Sequence, residues 1–330
     1  MKKSAFIFSD GELKRKDSTV LFESEDSKNY LPIEDISDIY IFGEVTVTKK
    51  FLELATQKEI LLHFYNYNEY YTGTYYPREH YNSGFMILKQ AEHYLDEKKR
   101  MAIAKKFIHG SVKNMLAVLK YYNNREKDLN GQITAINDLA EKVDGMNGIS
   151  NLMAIEGNIR EIYYSSFDVI VNDEYFEFDR RTKQPPKNRM NSLISFGNSM
   201  LYTTVLSEIY KTHLDPRIGY LHSTNHRRFT LNLDVAEVFK PIIVDRVIFT
   251  LVGKKMLSSK HFEEKAGGIV LNDKGRKQFV SQMLEKFNTT LMYKPLGREV
   301  SYRRLIRLEL YKLEKHLMGE QEYKPYIASW

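Results

Sequence analysis

The sequence changes its periodicity once, between Pro77 and Gly84, and this break limits the chain to a small β-rich unit followed by a larger helical one. Before it, Ser4–Phe8, Thr19–Phe22 and Ile36–Phe42 are rich in β-branched and aromatic residues. They are separated by Asp10-Gly11, Glu25-Asp26 and Gly43, so each reads as a strand. A short helix is expected over Lys50–Lys58, then strands over Ile60–Tyr65 and Tyr70–Tyr76. Short strands with turn signals and one helix suggest a small β-sandwich. From Phe85 onward apolar residues recur at three and four, as in Leu88, Ala91, Tyr94, Met101, Ala104, Ile108, Met115 and Leu119. Gly110 interrupts that run and leaves either one helix or two there. Further helices are predicted over 133–143, 149–170, 190–212, 234–257, 274–289 and 300–317. The fold class is therefore α+β, with residues 1–80 a β-rich domain and residues 81–330 an all-α domain.

Composition enters as a set of exclusions. Hydrophobic residues are 42% of the 330 and charged residues 28%, a globular balance that excludes a disordered or fibrous chain. The longest unbroken apolar run is five residues, Met115 to Leu119, far short of the ~20 that a membrane helix needs. The opening Met1–Asp10 turns polar too soon for a signal peptide. With no cysteine there is no disulfide scaffold, thiolate zinc site or cysteine nucleophile. The expectation is a soluble cytoplasmic protein with no membrane partner. The formal charge of +6 says little by itself; where the charges fall matters more.

Three segments carry candidate chemistry. The helix over 149–170 has an apolar stripe, Ile149, Leu152, Ile159, Tyr163 and Phe167, and Glu156 falls on it. A carboxylate there is costly unless it is paired, protonated or bound to a cation. It is a metal ligand, the ion-pair partner of Arg160 one turn on, or an edge position on a helix slightly rotated from this reading. Next, Gly219 to His226 is polar; Ser223, Thr224 and Asn225 between His222 and His226 argue for a loop rather than a helical metal pair. In the third segment, Asp234 and Glu237 are three apart and share a helix face. That spacing also fits an acidic first turn that caps a helix. Pro241 removes the backbone bond to the Glu237 carbonyl, so a kink or a later helix start follows. Two or three carboxylates and one imidazole suit a hard divalent cation, Mg²⁺ or Mn²⁺, with the imidazole favouring Mn²⁺. Basic residues adjoin these segments: Arg180, Arg181, Lys183, Lys187 and Arg189 in one run, and Arg227 and Arg228 directly after His226. Arg303, Arg304 and Arg307 follow on a late helix. Each run is a solvated surface or part of a phosphate-binding channel.

In this order, the segments resemble the CRISPR-associated spacer-acquisition integrases, the metal-dependent endonuclease/integrase family of CRISPR adaptation. The likeness spans nearly the whole chain. It is carried by Gly43–Val47 through Ile60–Phe64, Lys89–Ala91, Ala102–Lys106 and Met190–Leu201. Its most specific part is Leu214–His222, running on to Leu231–Glu237 and Val244–Arg246. The resemblance implies metal ligands at Glu156, His222 and Glu237, with Asp234 as the adjacent acid. It also implies capture of short double-stranded DNA, spacer integration by metal-dependent transesterification, and a homodimer made through the β domain. Two such dimers would flank a dimer of a small companion subunit in a heterohexamer. A stand-alone nuclease for branched DNA and a non-catalytic nucleic-acid scaffold are the alternatives.

Overall fold

The computed structural model describes residues 3–66, 70–78, 81, 83–224 and 229–329. The chain divides into two compact units, Met1–His80 and Tyr81–Trp330.

The first unit contains β1 (Lys3–Ile7), β2 (Gly11–Lys16), β3 (Thr19–Glu23), β4 (Lys28–Leu31), β5 (Ile36–Ile41), β6 (Val45–Val47), α1 (Lys49–Gln57), β7 (Leu61–Tyr65) and β8 (Tyr71–Tyr75). They form two four-stranded sheets, ordered β1-β5-β7-β8 and β4-β3-β2-β6. One core joins the two, with Ile7, Ile39, Ile41 and Leu62 from one sheet, Leu13, Val20 and Phe22 from the other, and Phe51, Leu54 and Ala55 from α1. Thr48 caps α1 by accepting from the Phe51 backbone N–H. The sequence expectation omitted β2, and the reason is visible. In Gly-Glu-Leu-Lys-Arg-Lys only Leu13 is fully buried, so the segment carries almost no apolar signal and is held by pairing with β3 and β6.

The second unit contains α2 (Gly84–Leu95), α3 (Glu97–Asn123), α4 (Asn130–Ala140), α5 (Ile149–Val171), α6 (Arg189–Ile209), α7 (Leu231–Phe239), α8 (Arg246–Gly253), β9 (Phe262–Lys265), β10 (Gly268–Leu271), α9 (Asp273–Asn288), β11 (Thr290–Tyr293), β12 (Arg298–Ser301) and α10 (Tyr302–Leu317). Two antiparallel hairpins, β9-β10 and β11-β12, thus interrupt an otherwise helical unit. Among the described residues no helix is long and apolar enough to cross a membrane.

Three details differ from the periodicity reading. Leu88 faces outward, and the buried face of α2 is Met86, Gln90 and His93. The helix break falls at Asp96, whose carboxylate caps α3 through the Lys99 N–H at 3.0 Å, and α3 runs unbroken through Gly110. The helix expected over 234–257 is divided. It starts at Leu231, and after α7 the residues Pro241–Asp245 form a π-helical turn. Pro241 has no N–H for the Glu237 carbonyl, and the ladder resumes one residue wider, with Asp245 N–H donating to Lys240 O at 3.1 Å.

Gly110 has a different role, because the C-terminal strap of residues 323–328 lies against it. A Cβ at Gly110 would stand 2.6 Å from Pro325 Cβ and 3.3 Å from Val238 Cγ2. Asn114, one turn on, donates to Val238 O at 2.8 Å and Tyr326 O at 3.0 Å, and accepts from Ala328 N–H at 2.8 Å. The Tyr326 ring stacks on Phe239, and its N–H donates to the buried Glu309. The strap therefore backs α7. Gly110→Ala should lower stability, since overpacking of about 1–3 kcal/mol outweighs a helix-propensity gain of about 1 kcal/mol. A chemical-denaturation midpoint at or above wild type would show that the strap yields at no cost.

Candidate metal centre

Three segments converge here because α7 is buried almost all round. Leu231, Asp234, Val235, Ala236, Glu237, Val238 and Phe239 are all inside. Asp234 does not cap its own helix. Its carboxylate accepts from the backbone N–H groups of Tyr220 (2.5 Å), Leu221 (3.0 Å) and His222 (2.9 Å), and from His222 Nδ1 at 2.7 Å. A fully buried carboxylate is thus satisfied by the loop that it shapes. That loop is anchored at its other end. Thr230 Oγ1 accepts from Gly219 N–H and donates to Arg217 O, each at 2.9 Å, and Gln90 brackets Asp215 through its N–H and carbonyl. Gly219 is required for close approach, since a Cβ there would meet the Thr230 backbone at 2.8 Å and Asp234 Oδ2 at 2.9 Å.

A carboxylate on Nδ1 means that this nitrogen carries the proton and donates, which leaves the Nε2 lone pair of the neutral ring for a cation. Burial pushes the His222 imidazole down, but the Asp234 contact outweighs it, and the net shift is upward. His222 and Glu237 also lie close enough for each to stabilise the charged form of the other.

Glu156 has Arg160 as its ion-pair partner. Glu156 sits at the edge of the buried stripe of α5, and its carboxylate accepts from Arg160 Nε at 2.7 Å. The same guanidinium reaches 77 residues along the chain to donate to Glu237 through Nη2. Glu237 also takes the Lys240 ammonium at 2.5 Å. Burial opposes ionisation of Glu237, yet Arg160, Lys240 and His222 overcome it and hold its carboxyl near 2. Among the described residues no three His, Asp or Glu side chains are gathered as a finished metal cage. The donor set nevertheless fits a hard cation: the Glu156 and Glu237 carboxylates already share one positive group, and an imidazole with an available nitrogen lies near Glu237. The sequence reading found Arg160 as the partner of Glu156 but missed its bridge to Glu237; it placed Lys240 beside the ligands but missed its pairing with Glu237. The i,i+3 spacing from Glu237 was the available signal for Lys240.

The basic run at 180–189 is brought beside this centre but divided in its duties. Arg180 and Lys183 are exposed. Partial desolvation lowers the Lys183 pKa, as do the charges of Arg181 and Lys240, while Glu237 and Glu156 act in the opposite sense. Arg181 turns inward, with its guanidinium on Asn191 Oδ1 (2.8 Å) and Ser195 Oγ (3.0 Å) of α6. Lys187 donates to Gly267 O, and Arg189 to Tyr175 O. Arg227, Arg228 and His226 lie outside the described residues. Arg303 and Arg307 point into the unit rather than out of it, both onto the buried Glu208.

The profile of the family described as CRISPR associated protein Cas1 matches residues 5–285. A protein of Thermodesulfovibrio yellowstonii named CRISPR-associated endonuclease Cas1 2 is 58% identical over 330 residues, all of both chains. A solved Cas1 protein from Thermotoga maritima superposes with a TM-score of 0.90 at 50% identity, covering 98% of this chain and 99% of that one. A casposase solved bound to integration product shares the fold, with a TM-score of 0.88 at 21% identity over 98% of this chain and 93% of its own. With the profile matching most of the chain and a relative more than half identical end to end, the chain belongs to the CRISPR-associated Cas1 family.

Proposed function

We propose that this protein is a metal-dependent DNA endonuclease and integrase that captures short double-stranded DNA and joins it into a CRISPR array as a spacer, by transesterification. The observation that carries the reading is the His222 imidazole, fixed by Asp234 with Nε2 available, set against the Glu237 carboxylate that Arg160 ties to Glu156. Glu156, His222 and Glu237 would hold Mg²⁺ or Mn²⁺, which when bound polarises the scissile phosphate and steadies charge on the attacking and leaving oxygens. The chain's own residues do the rest. Asp234 fixes the imidazole tautomer and orientation. Lys240 and Arg160 keep the Glu237 carboxylate ionised in a buried setting. Arg180 and Lys183 present cations to a DNA backbone beside the centre. Phosphoryl transfer of this kind asks the protein mainly for positioning, and three separately anchored segments supply that. The relative named an endonuclease and the casposase solved with its integration product support the same chemistry. The assembly proposed is a homodimer through the β unit, whose sheets end in the edge strands β1, β8, β4 and β6. Two dimers then flank a dimer of a small companion subunit in a heterohexamer.

The bridged carboxylates would also suit a non-catalytic scaffold, and a joining assay decides. It uses labelled DNA ends and a repeat-bearing plasmid, with and without Mn²⁺ and the companion subunit. Metal-dependent nicking without joining would leave a stand-alone nuclease; no metal-dependent product at all would leave the scaffold. His222→Ala is expected to abolish joining while DNA affinity stays near wild type. Joining by wild type should fall as pH drops through the raised His222 pKa, because a protonated ring has no lone pair to donate. Arg180→Ala with Lys183→Ala should do the reverse. Affinity should drop, and the slope of log affinity against log salt should flatten by about one for each phosphate that is no longer neutralised. An unchanged slope would remove this loop from the DNA path.

A further inference from the structure

The region behind the centre holds three buried polar atoms without hydrogen-bond partners: Arg160 Nη1, Tyr163 Oη and Asp245 Oδ2. Arg160 and Tyr163 are three residues apart on α5 and so lie on one face, a single turn from each other. The Tyr163 hydroxyl neighbours the Asp245 carboxyl, which closes the π-helical turn after α7 and is 1% exposed. Burial pushes this carboxyl up to about 7, opposed mainly by Arg160 and then by the Tyr163 hydroxyl and Lys240. A buried acid with an unpartnered oxygen is costly to keep unless it has a partner in another state of the molecule.

The charges around Arg160 suggest which state that is. Its guanidinium holds Glu156 and Glu237, the two carboxylates that a divalent cation would need. Lys240 already has the other Glu237 oxygen, and Asp234 holds His222 through Nδ1 and leaves Nε2 to the cation. A cation entering the centre therefore displaces Arg160. Within reach of a long side chain on the interior face of α5, Asp245 has the Tyr163 hydroxyl beside it and, among the described residues, no basic group paired with it. A buried guanidinium left with no anion would oppose metal binding.

We propose that Asp245 is the receiving site for Arg160: the guanidinium neutralises Glu156 and Glu237 while the centre is metal-free, and moves onto Asp245 when a divalent cation takes those carboxylates. Asp245 is then a positioning residue that acts through Arg160. This inference rests on the metal reading above.

The test is calorimetric titration of the full-length protein with Mn²⁺ alone, checked by Mn²⁺ electron paramagnetic resonance, for wild type, Asp245→Asn, Arg160→Gln and the double variant. Asp245→Asn should weaken Mn²⁺ binding by about tenfold or more, the scale expected when a residue that supports a metal ligand is removed. Its metal-free melting temperature should stay at the wild-type value, which a merely structural role would not allow. Arg160→Gln should bind Mn²⁺ more tightly than wild type, and on that background Asp245→Asn should have no further effect. Equal affinity in wild type and Asp245→Asn overturns the inference, as does a weakening that persists without Arg160. If Asp245→Asn unfolds, the Arg160→Gln arm decides alone, and unchanged or weaker binding overturns it. If wild type itself binds no Mn²⁺, the metal reading falls and takes the exchange with it; binding by wild type with no coupling sinks only the exchange.

Discussion

Glu237→Ala is expected to abolish metal-dependent joining and also to lower stability by about 3 kcal/mol or more, the cost of leaving a buried charge without its partner. The drop in stability comes chiefly from Lys240, which is 5% exposed and has Glu237 as its ion-pair partner. Glu156→Ala is the informative contrast. There Arg160 keeps Glu237, and the side chain removed is 14% exposed, so joining should vanish while the melting temperature holds or rises. Calorimetric melting and a joining assay on both variants check this. If Glu156→Ala melts as low as Glu237→Ala yet keeps its activity per folded molecule, Glu156 is a structural ion-pair partner and no ligand.

The second large effect lies far from the proposed chemistry. Glu208 on α6 is fully buried and accepts from Arg303 Nε (2.8 Å), Arg307 Nε (2.6 Å) and Lys211 Nζ (3.0 Å), so one carboxylate fastens α10 to α6. Burial works against its ionisation, but Lys211, Arg303 and Arg307 prevail and bring its pKa to about 2. Glu208→Leu leaves three cations facing one another. Because Lys211 and Arg307 keep 24% of their side chains in solvent, the destabilisation should fall at the low end for a broken buried pair. That is about 3 kcal/mol, or roughly 6–12 °C in melting temperature for a unit of this size. A carboxyl lowered on folding stabilises above its unfolded pKa of 4.5, and the contribution fades as pH falls toward 2. The variant and wild type should therefore converge in stability in acid. A constant difference across that range would mean that packing, not charge, is what the substitution removed.

Local pattern carried most of the architecture. The break at residues 77–84, the long helices and the two-sheet unit all follow from periodicity, because each buries one face and the face repeats. Reading failed where burial was not periodic. β2 fully buries only Leu13, and α7 buries nearly every side chain, so neither shows an alternation from which to set its limits. Leu88 illustrates a third failure, since an apolar residue at the correct spacing can still lie on the outer face when Gln90 and His93 occupy the inner one. At the centre, Glu156 stood out because it broke an apolar stripe, and Asp234 with Glu237 because they share a face. The loop that Asp234 gathers around His222, and the guanidinium that spans Glu156 and Glu237, join residues 12 and 77 positions apart. Such pairings depend on how helices pack, which spacing along a single chain does not encode.

The strap at residues 323–328 also sets an order in time. The ribosome makes it after Glu156, His222 and Glu237, yet Asn114 takes two of its bonds, and Phe239 a stacked neighbour, from Tyr326 and Ala328. Units complete their folding when all their core segments are present. The helical unit thus finishes after translation has passed its last helix. A message truncated anywhere between α10 and the strap would yield a chain that holds every proposed ligand and an uncovered apolar flank on α7, a substrate for proteases and chaperones before it is a catalyst.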